Sequence, residues 1–348
     1  MADPAVQKFI LRALLSLPRP ILRTLAGGGV VHVGGRTLDP RFQYLAAQAS
    51  KGPQLSSFPA DVARAGSAQS LAPMQGAVEP GVRIEALTVP GAEGDVPARS
   101  YHPKDQDPDA PLMVFAHFGG GVIGDLDTCE VFSTILAKVA RCAVLSVEYR
   151  LAPEHRFPAG LDDMLAAYRW ARDNAARFGA PAGRVAVGGD SMGGNFSAIV
   201  AQEMKRTGEP QPVVQLLIYP AMDVASDSPS MTTYGTAYPL SRATMEWFMG
   251  HYMGPEDSPT NPRLSPGREA DLTGLAPAVI ATAGFDPLLD QGEDYARRLR
   301  LAGVPTIYRC YDHLAHAFTA FTGAVPAADA ACREIAALTR DAFVAASR

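Results

Sequence analysis

A serine stands in a glycine-rich turn that reads Gly189-Asp190-Ser191-Met192-Gly193. An apolar, strand-like run precedes this G-x-S-x-G pattern, and a helix-like stretch follows it. A sharp turn between a strand and a helix exposes the serine hydroxyl and directs the positive end of the helix at its oxygen. We therefore predict that Ser191 is a catalytic nucleophile. The alternative is a glycine-rich turn with an incidental serine.

A serine hydroxyl is a weak nucleophile at neutral pH and needs a histidine base that a carboxylate orients. Where such a turn carries the serine, the acid and then the histidine follow it along the chain. Asp286 comes directly after a strand-like run, and His313 and His316 follow the last one. Asp290 is interpreted as a helix cap. The two histidines lack a third ligand and an H-E-x-x-H pattern, so we expect no metal site.

A second glycine-rich segment, HFGGGVIGD, begins at His117, just after another apolar run. It satisfies the dinucleotide-binding pattern G-x-G-x-x-G, and Glu148 stands at about the distance of a ribose-binding acid. However, Asp125 and Asp127 follow the glycines at the place where they would repel a pyrophosphate. We favour a loop whose backbone N–H groups stabilise an oxyanion. A nicotinamide-dependent oxidoreductase is kept as an alternative.

Strand-like and helix-like stretches alternate over most of the chain. The predicted strands are 82–89, 95–102, 111–117, 142–149, 184–190, 213–220, 277–285 and 305–312. The predicted helices are about 129–140, 160–178, 192–207, 290–302 and 327–346. This alternation predicts right-handed crossovers and a mostly parallel sheet with helices on both faces, preceded by one antiparallel strand pair.

Two stretches interrupt this alternation. Residues 1–75 consist of helical patches broken by proline and glycine, without a convincing strand signal, and residues 222–270 form a long insertion rich in Met and aromatic residues. Such an insertion at the carboxyl end of a strand lies where open α/β sheets bind ligands. We predict N-terminal cap helices over 1–75 and a catalytic domain over 76–348 with a cap insertion at about 222–270. The alternative is that the aromatic residues only fill the core of an inserted helix.

The first helical patch is amphipathic. Ile10, Leu14 and Leu17 are spaced to share one helical face, and Arg12 interrupts the apolar run. No signal-peptide pattern follows, and no apolar run reaches the ~18 residues of a membrane span. We predict a helix that docks on the body of the protein, with a membrane-surface helix as the alternative. We accordingly expect a cytoplasmic protein without membrane contact.

Composition excludes several classes of protein. The chain has 348 residues, of which 47% are hydrophobic and 19% charged, so it is long and apolar enough to form its own core. Its formal net charge of −5 argues against nucleic-acid binding, which needs a dense cationic surface. The four cysteines are widely spaced and are interpreted as inert thiols in a reducing compartment.

The chain resembles the hormone-sensitive-lipase-like branch of the α/β-hydrolase esterases, known in bacteria as family IV. Besides the serine turn, the run VEYRLAPEHRFPAGLDD at 147–163 is similar to the signature between the oxyanion loop and the serine of that family. The run FDPLLDQGEDYARRLRLAGVP at 285–305 is similar to its acid loop and following helix. The similarity covers about 80–345. It implies an α/β-hydrolase fold, with a mostly parallel, doubly wound sheet of about eight strands and a helical cap.

The resemblance also implies roles for individual residues. Ser191 would be the nucleophile, Asp286 the orienting acid and His316 the base, because His316 begins a His-Ala-Phe run that aligns with a His-Gly-Phe pattern. The His-Gly-Gly-Gly segment of the family aligns with the stretch that begins at His117.

In this alignment, backbone N–H groups of Gly119, Gly120 and Met192 would form the oxyanion hole. Five residues depart from those usual in the family: Phe118, Gly121, Met192, Ala317 and His313, the last of which stands where a glycine is usual. These departures affect the expected shape of the pocket more than the expected chemistry, because backbone N–H donors do not depend on the side chain.

The implied function is a serine carboxylic-ester hydrolase of class EC 3.1.1. We expect it to act on short- to medium-chain or small aromatic esters through an acyl-enzyme intermediate, without a metal or organic cofactor. Phe118, Tyr234 and Trp247 are predicted in the substrate pocket. The alternative is a hydrolase-fold protein that binds its ligand without turnover.

Two further expectations concern the surroundings of the site. Glu154, Asp162 and Asp163 are interpreted as ion-pair or cap residues rather than as catalytic acids. The last predicted strand would be a sheet edge, and pairing of that edge with a second copy would give a homodimer.

Overall fold

An eight-stranded sheet forms the centre of the computed structural model, which describes residues 4–347. Its strands are β1 (Val82–Gly91), β2 (Gly94–Pro103), β3 (Leu112–Ala116), β4 (Val144–Val147), β5 (Val185–Asp190), β6 (Gln215–Ile218), β7 (Ala278–Phe285) and β8 (Thr306–Ala315). Their order across the sheet is β8-β7-β6-β5-β3-β4-β2-β1. β2 runs antiparallel to both of its neighbours, and the remaining pairs are parallel. The predicted α/β-hydrolase architecture is thereby confirmed.

Helices precede the sheet and alternate with its strands. They are α1 (Pro4–Leu15), α2 (Arg19–Leu25), α3 (Pro40–Ala49), α4 (Ala60–Leu71), α5 (Glu130–Ala140), α6 (Ala159–Asn174), α7 (Met192–Thr207), α8 (Pro229–Thr233), α9 (Arg242–Tyr252), α10 (Leu289–Leu301) and α11 (Pro326–Ala345). α5 and α11 pack against each other on one face of the sheet, while α6, α7 and α10 contribute to the clusters on the other. The sheet is therefore covered on both sides, as the alternating pattern predicts.

The burial of the strands explains their sequences. β3, β5 and β7 are buried at every residue, which is why they read as continuous apolar runs. β1 lies at one edge and has only one fully buried residue, Val89. β8 forms the other edge and continues to Ala315, three residues beyond its predicted end, through an irregularity in its pairing with β7. Edge pairing into a homodimer stays a prediction.

The two stretches outside the alternating pattern contain α1 to α4 and the pair α8 and α9. The N-terminal stretch also contains a ribbon, His32–Val33 paired with Arg36–Thr37, which the sequence analysis did not predict. Gly34 and Gly35 form its turn with φ of 58° and 77°, a conformation that glycine adopts readily. The glycine pair between Val33 and Arg36 is a hairpin signal that could have located it. The proposed cap boundaries themselves stay a prediction.

Asp163 connects α6 to two segments beside the sheet. Its side chain is fully buried and accepts hydrogen bonds from the Arg150 guanidinium, with Oδ2 to Nε at 2.8 Å. The backbone N–H groups of Arg150 and Ala92 also donate to this carboxylate, at 3.0 and 2.9 Å. The neighbouring Asp162 is half-buried and pairs with Arg263 at 2.5 Å. These acids are structural ion-pair partners in the fold.

We predict that Asp163→Asn lowers the free energy of unfolding by about 3 kcal/mol, because it removes one member of a buried charge pair. Asp162→Asn is the matched control, and its half-exposed pair should contribute no more than about 1 kcal/mol. Chemical unfolding of both variants measures the difference. Equal effects of the two substitutions would contradict the role given to Asp163.

Candidate active site

Three polar side chains follow the carboxyl ends of β5, β7 and β8. Ser191 comes directly after β5, Asp286 directly after β7 and His316 directly after β8. Parallel strands end at the same edge of a sheet, so these three side chains lie at one edge although they are far apart in sequence.

The three side chains form a continuous hydrogen-bonded series. His316 Nε2 lies 3.0 Å from Ser191 Oγ, and His316 Nδ1 lies 2.7 Å from Asp286 Oδ2. The other carboxylate oxygen of Asp286 accepts the backbone N–H of Leu288 at 2.9 Å. Asp286 is fully buried, whereas Ser191 and His316 retain 8% and 5% of their exposure and line a cavity. This geometry suits proton transfer from the hydroxyl to the imidazole.

The serine turn is held in a strained conformation. Ser191 has φ of 55° and ψ of −114°, which L-residues seldom adopt and which costs about 1–3 kcal/mol. Gly193 lies so close to β3 that a Cβ at this position would be 2.0 Å from the carbonyl oxygen of Ala116. The turn fits only because this position lacks a side chain, which explains the glycine after the serine.

The predicted oxyanion residues line the cavity from two segments. Gly119 and Gly120 come from the loop after β3, and Met192 is the first residue of α7. Within residues 4–347, none of these three N–H groups donates to a protein acceptor. Phe118 does not have a positive φ and is therefore not strained as a replacement for glycine. The three N–H groups are available to an oxygen of a bound ligand.

His117 holds the loop that contains these glycines. Its ring is fully buried and stacks on Tyr149 with centroids 4.2 Å apart, and Nδ1 lies 2.7 Å from the carbonyl oxygen of Phe118. The Tyr149 hydroxyl donates to the carbonyl oxygen of His117 at 2.7 Å. Burial lowers the pKa of His117 to about 4, so the ring is neutral at neutral pH. A neutral imidazole with an N–H on Nδ1 fits this contact with a carbonyl.

Other residues considered in the sequence analysis lie apart from the series. His313 is exposed within β8, and its carbonyl accepts the backbone N–H of Asp39 at 2.9 Å. Asp290 lies in the first turn of α10 without being its N-cap, and it accepts the backbone N–H of Ser230 at 2.8 Å. Glu148 accepts the backbone N–H of Leu126 at 2.9 Å and so supports the loop rather than a ribose site.

A buried polar network beside the histidine was missed by the sequence analysis. Asp190 Oδ2 accepts hydrogen bonds from the hydroxyls of Tyr219 and Thr319, both at 2.8 Å. The Tyr219 ring packs on the His316 ring with centroids 4.7 Å apart. The other oxygen of Asp190 has no partner in the described residues, and burial raises the pKa of this carboxyl to about 6. The only sequence signal was the position of Asp190 next to the serine.

A cavity of about 890 Å³ opens next to Ser191. Residues 48–71 and 221–249 supply most of its wall, so the N-terminal helices and the insertion cover the serine together. Of the three residues predicted in the pocket, Phe118 lines the cavity, whereas Tyr234 and Trp247 do not.

Both aromatic residues contact other parts of the fold. The Tyr234 hydroxyl donates to the carbonyl of Val33 at 3.2 Å, which ties the insertion to the N-terminal ribbon. The Trp247 ring packs on His251, with centroids 4.3 Å apart. Phe248, adjacent to Trp247, faces the cavity instead. A helix turns each successive residue by about 100°, so a one-residue difference changes the face.

Among residues 4–347, no group of three or more His, Cys, Asp or Glu side chains is arranged to hold a metal ion. None of the helices in the same range combines the length and apolar character needed to cross a bilayer.

Comparison with known proteins shows similarity to ester hydrolases of the α/β-hydrolase fold. A family model described as alpha/beta hydrolase fold matches residues 113–320. The chain is 41% identical to the carboxylic ester hydrolase LipN of Mycobacterium tuberculosis, over 87% of this chain and 82% of the relative. It is 36% identical to an ethyl acetate hydrolase of Pseudomonas putida, over 78% of this chain and 86% of the relative. The crystal structure of LAE6, an alpha/beta hydrolase enzyme from the metagenome of Lake Arreo, is similar with a TM-score of 0.84 and 38% identity, covering 88% of this chain and 98% of that one.

We predict that Asp190→Asn stabilises the protein increasingly as pH rises. The pKa of Asp190 in the folded protein, about 6, exceeds the ordinary value of 3.8. The stability that protonated Asp190 contributes is therefore fully present below about pH 4 and is lost as the pH rises to about 6. Asparagine does not titrate, so the difference in unfolding free energy should grow from pH 4 to pH 7 by at most about 3 kcal/mol.

Unfolding of the wild type and the variant at several pH values measures this difference. Asp173→Asn changes an exposed carboxylate and should shift stability by less than about 0.5 kcal/mol across the range. A difference that is constant from pH 4 to pH 7 would show that Asp190 is not the titrating group.

Proposed function

The chain belongs to the hormone-sensitive-lipase-like family of α/β-hydrolase esterases and is a carboxylic ester hydrolase, and we propose that it hydrolyses its ester through a covalent acyl-enzyme on Ser191. The observation that carries this proposal is the hydrogen-bonded series of Ser191, His316 and Asp286, with distances of 3.0 and 2.7 Å. Each member of the series has a role that follows from its position.

In the first step, His316 Nε2 accepts the hydroxyl proton while Ser191 Oγ attacks the ester carbonyl carbon. The Asp286 carboxylate accepts a hydrogen bond from Nδ1–H, which keeps Nε2 free to take the proton. The same carboxylate stabilises the imidazolium that forms. Because Asp286 is fully buried and also accepts the Leu288 N–H, it holds the ring in one orientation.

The tetrahedral intermediate places a negative charge on the former carbonyl oxygen. The N–H groups of Gly119, Gly120 and Met192 are the donors that would bind it, and removing one such donor costs about 2.7–4 kcal/mol of barrier in measured cases. The imidazolium of His316 then protonates the alkoxide oxygen of the leaving alcohol, and an acyl-Ser191 ester remains. Water deprotonated by His316 attacks this ester, and the imidazolium returns the proton to Ser191 Oγ as the C–O bond breaks and the acid is released.

The charged residues of the cavity wall favour a neutral substrate. Arg242 pairs with Asp227 and Glu246 at 3.2 and 3.3 Å, and Asp223 pairs with Arg268 at 2.9 Å. The remaining wall is mostly apolar. We propose neutral esters with short to medium acyl chains or small aromatic groups as substrates, since an anionic ester would find no unpaired cation among the described residues of the wall.

One face of α4 sets the space available to the substrate. Val62, Ala63, Gly66, Ser67 and Ser70 line the cavity, and their spacing puts them on one side of the helix. A Cβ at Gly66 would meet no atom within 4 Å. A larger side chain there would enter the cavity without displacing the backbone, so this position is suited to control the size of the substrate.

We predict that Ser191→Ala lowers kcat for p-nitrophenyl butyrate by at least about 10⁴-fold, because the attacking oxygen is lost. Ser197→Ala, in the helix that follows Ser191, removes a hydroxyl whose hydrogen bond goes to the carbonyl of Gly193 at 2.8 Å, and this variant should retain turnover. A fluorophosphonate probe should label the wild type and the control but not the Ser191 variant. Turnover or labelling that persists without the Ser191 hydroxyl would refute the assignment.

We predict that Gly66→Phe lowers kcat/KM for p-nitrophenyl octanoate by about tenfold or more, while the value for the acetate changes by less than about threefold. The reason is loss of cavity space next to the longer acyl chain. Gly250→Phe is the matched control, since Gly250 is an exposed helical glycine outside the cavity wall with open space around it. Steady-state kinetics with both esters measures the ratio. An unchanged preference in Gly66→Phe would mean that α4 does not limit the substrate.

A further inference from the structure

The first helix has two apolar faces. Leu15 is buried and Leu11 packs against the core, which docks one face on the body. This is not the face predicted from the sequence, because Ile10 is exposed. Val6, Phe9 and Ile10, spaced by three and four residues, lie on another face with exposures of 48%, 73% and 51%. A helix that only docks on a body needs one apolar face, so the second face requires a different explanation.

The exposed apolar side chains are concentrated in this part of the protein. Of the eleven large hydrophobic side chains that are exposed in the described residues, seven lie between Val6 and Val33. In α2, Ile21 and Leu25 are four residues apart and exposed, whereas Leu22 between them is buried. α2 therefore repeats the arrangement of α1. Exposed apolar residues grouped in this way mark an interaction surface rather than the scattered apolar residues of an ordinary surface.

The charge of this segment is opposite to that of the whole protein. Between Asp3 and Asp39 the sequence has five basic residues and no acidic residue, although the formal net charge of the chain is −5. Arg36 pairs with Asp312 at 2.8 Å. The other four have no carboxylate partner within residues 4–347: they are Lys8, Arg12, Arg19 and Arg23. Of these, Arg12 donates a hydrogen bond to the carbonyl oxygen of Gln75 at 2.9 Å. Apolar side chains flanked by unpaired cations complement an anionic lipid surface.

We propose that α1 and α2 form a docking surface for anionic lipid bilayers, with Val6, Phe9 and Ile10 inserted among the headgroups. α1 has 12 residues and is about 18 Å long, too short to cross a hydrocarbon core of about 30 Å. It therefore lies in the plane of the interface. One face of α1 would thus contact the bilayer, while Leu11 and Leu15 on the other face stay packed against the body of the protein.

A second copy of the chain is the competing occupant of this surface. A two-fold symmetric contact brings identical patches together, so the unpaired cations of one copy would face those of the other. Without acidic residues in the segment to balance them, this repulsion disfavours self-association. An anionic bilayer removes the same repulsion, which is why the lipid surface is the better occupant.

The experiment is flotation of the full-length protein with vesicles of phosphatidylcholine alone or with about one third phosphatidylglycerol. We expect binding to the anionic vesicles at least about tenfold stronger than to the neutral ones, and loss of this difference as salt rises from about 0.1 M to about 1 M. The double variant Phe9→Ser/Ile10→Ser should lose at least about tenfold in binding. The double variant Lys8→Gln/Arg19→Gln should lose the preference for anionic lipid.

Leu301→Ser is the matched control, because Leu301 is 75% exposed at the end of α10, away from the N-terminal segment in sequence. It should bind vesicles as the wild type does. Hydrolysis of p-nitrophenyl acetate in solution should be unchanged in all variants, which shows that they are folded. Absent or equal binding to the two vesicle types would overturn the proposal, as would wild-type binding by the Phe9/Ile10 variant. A wild-type dimer in light scattering that this variant dissociates would instead assign the surface to a second copy.

Discussion

The parallel register of β5, β7 and β8 is the constraint on which the site depends. β7 pairs directly with β8 and is joined to β5 through β6. The registers of these pairs therefore set the relative positions of the three strand ends along the sheet. Ser191, Asp286 and His316 each follow one of those ends without an intervening residue. A shift of one residue in either pairing would move a side chain by about 3.3 Å and would invert its direction. Hydrogen bonds of 2.7 and 3.0 Å do not tolerate such a shift.

Polar burial at this edge works against stability. Asp286 and His117 are fully buried, Asp190 is nearly so, and Ser191 has a strained backbone. Taking such groups out of water is unfavourable, and hydrogen bonds offset the loss only where they are complete. Within residues 4–347, one oxygen of Asp190 has no protein partner, so these hydrogen bonds are not complete. The apolar strands beneath supply the compensating stability, since β3, β5 and β7 are buried along their whole length.

The sequence allowed the sheet to be predicted closely, because fully buried parallel strands give apolar runs that differ clearly from amphipathic helices. Each of the eight predicted strands is present, and the residues of the predicted triad lie within hydrogen-bonding distance. The catalytic roles of those residues stay predictions. Side-chain contacts between distant segments were not predictable. The hydrogen bonds of Asp190 with Tyr219 and Thr319 join residues from three separate segments, and no local sequence pattern links these segments.

The wall of the cavity was harder to predict for a related reason. Composition identified the insertion as aromatic-rich but did not show which helical face covers the serine. The prediction from sequence therefore named Trp247, whereas the neighbouring Phe248 lines the cavity.

The departures from the family pattern are tolerated because the backbone carries much of the proposed chemistry. Ala317 stands where glycine is usual and has φ of 58°, a left-handed conformation that costs an L-residue about 1–2 kcal/mol. Its carbonyl accepts the N–H of Ala320 at 3.0 Å, which helps to hold the turn directly after His316. Phe118 and Met192 change the side chains around the reacting carbonyl, yet the N–H groups of Gly119, Gly120 and Met192 remain unpaired within the described residues. Substitution in this loop therefore alters the space offered to an ester while it leaves the proposed oxyanion donors in place.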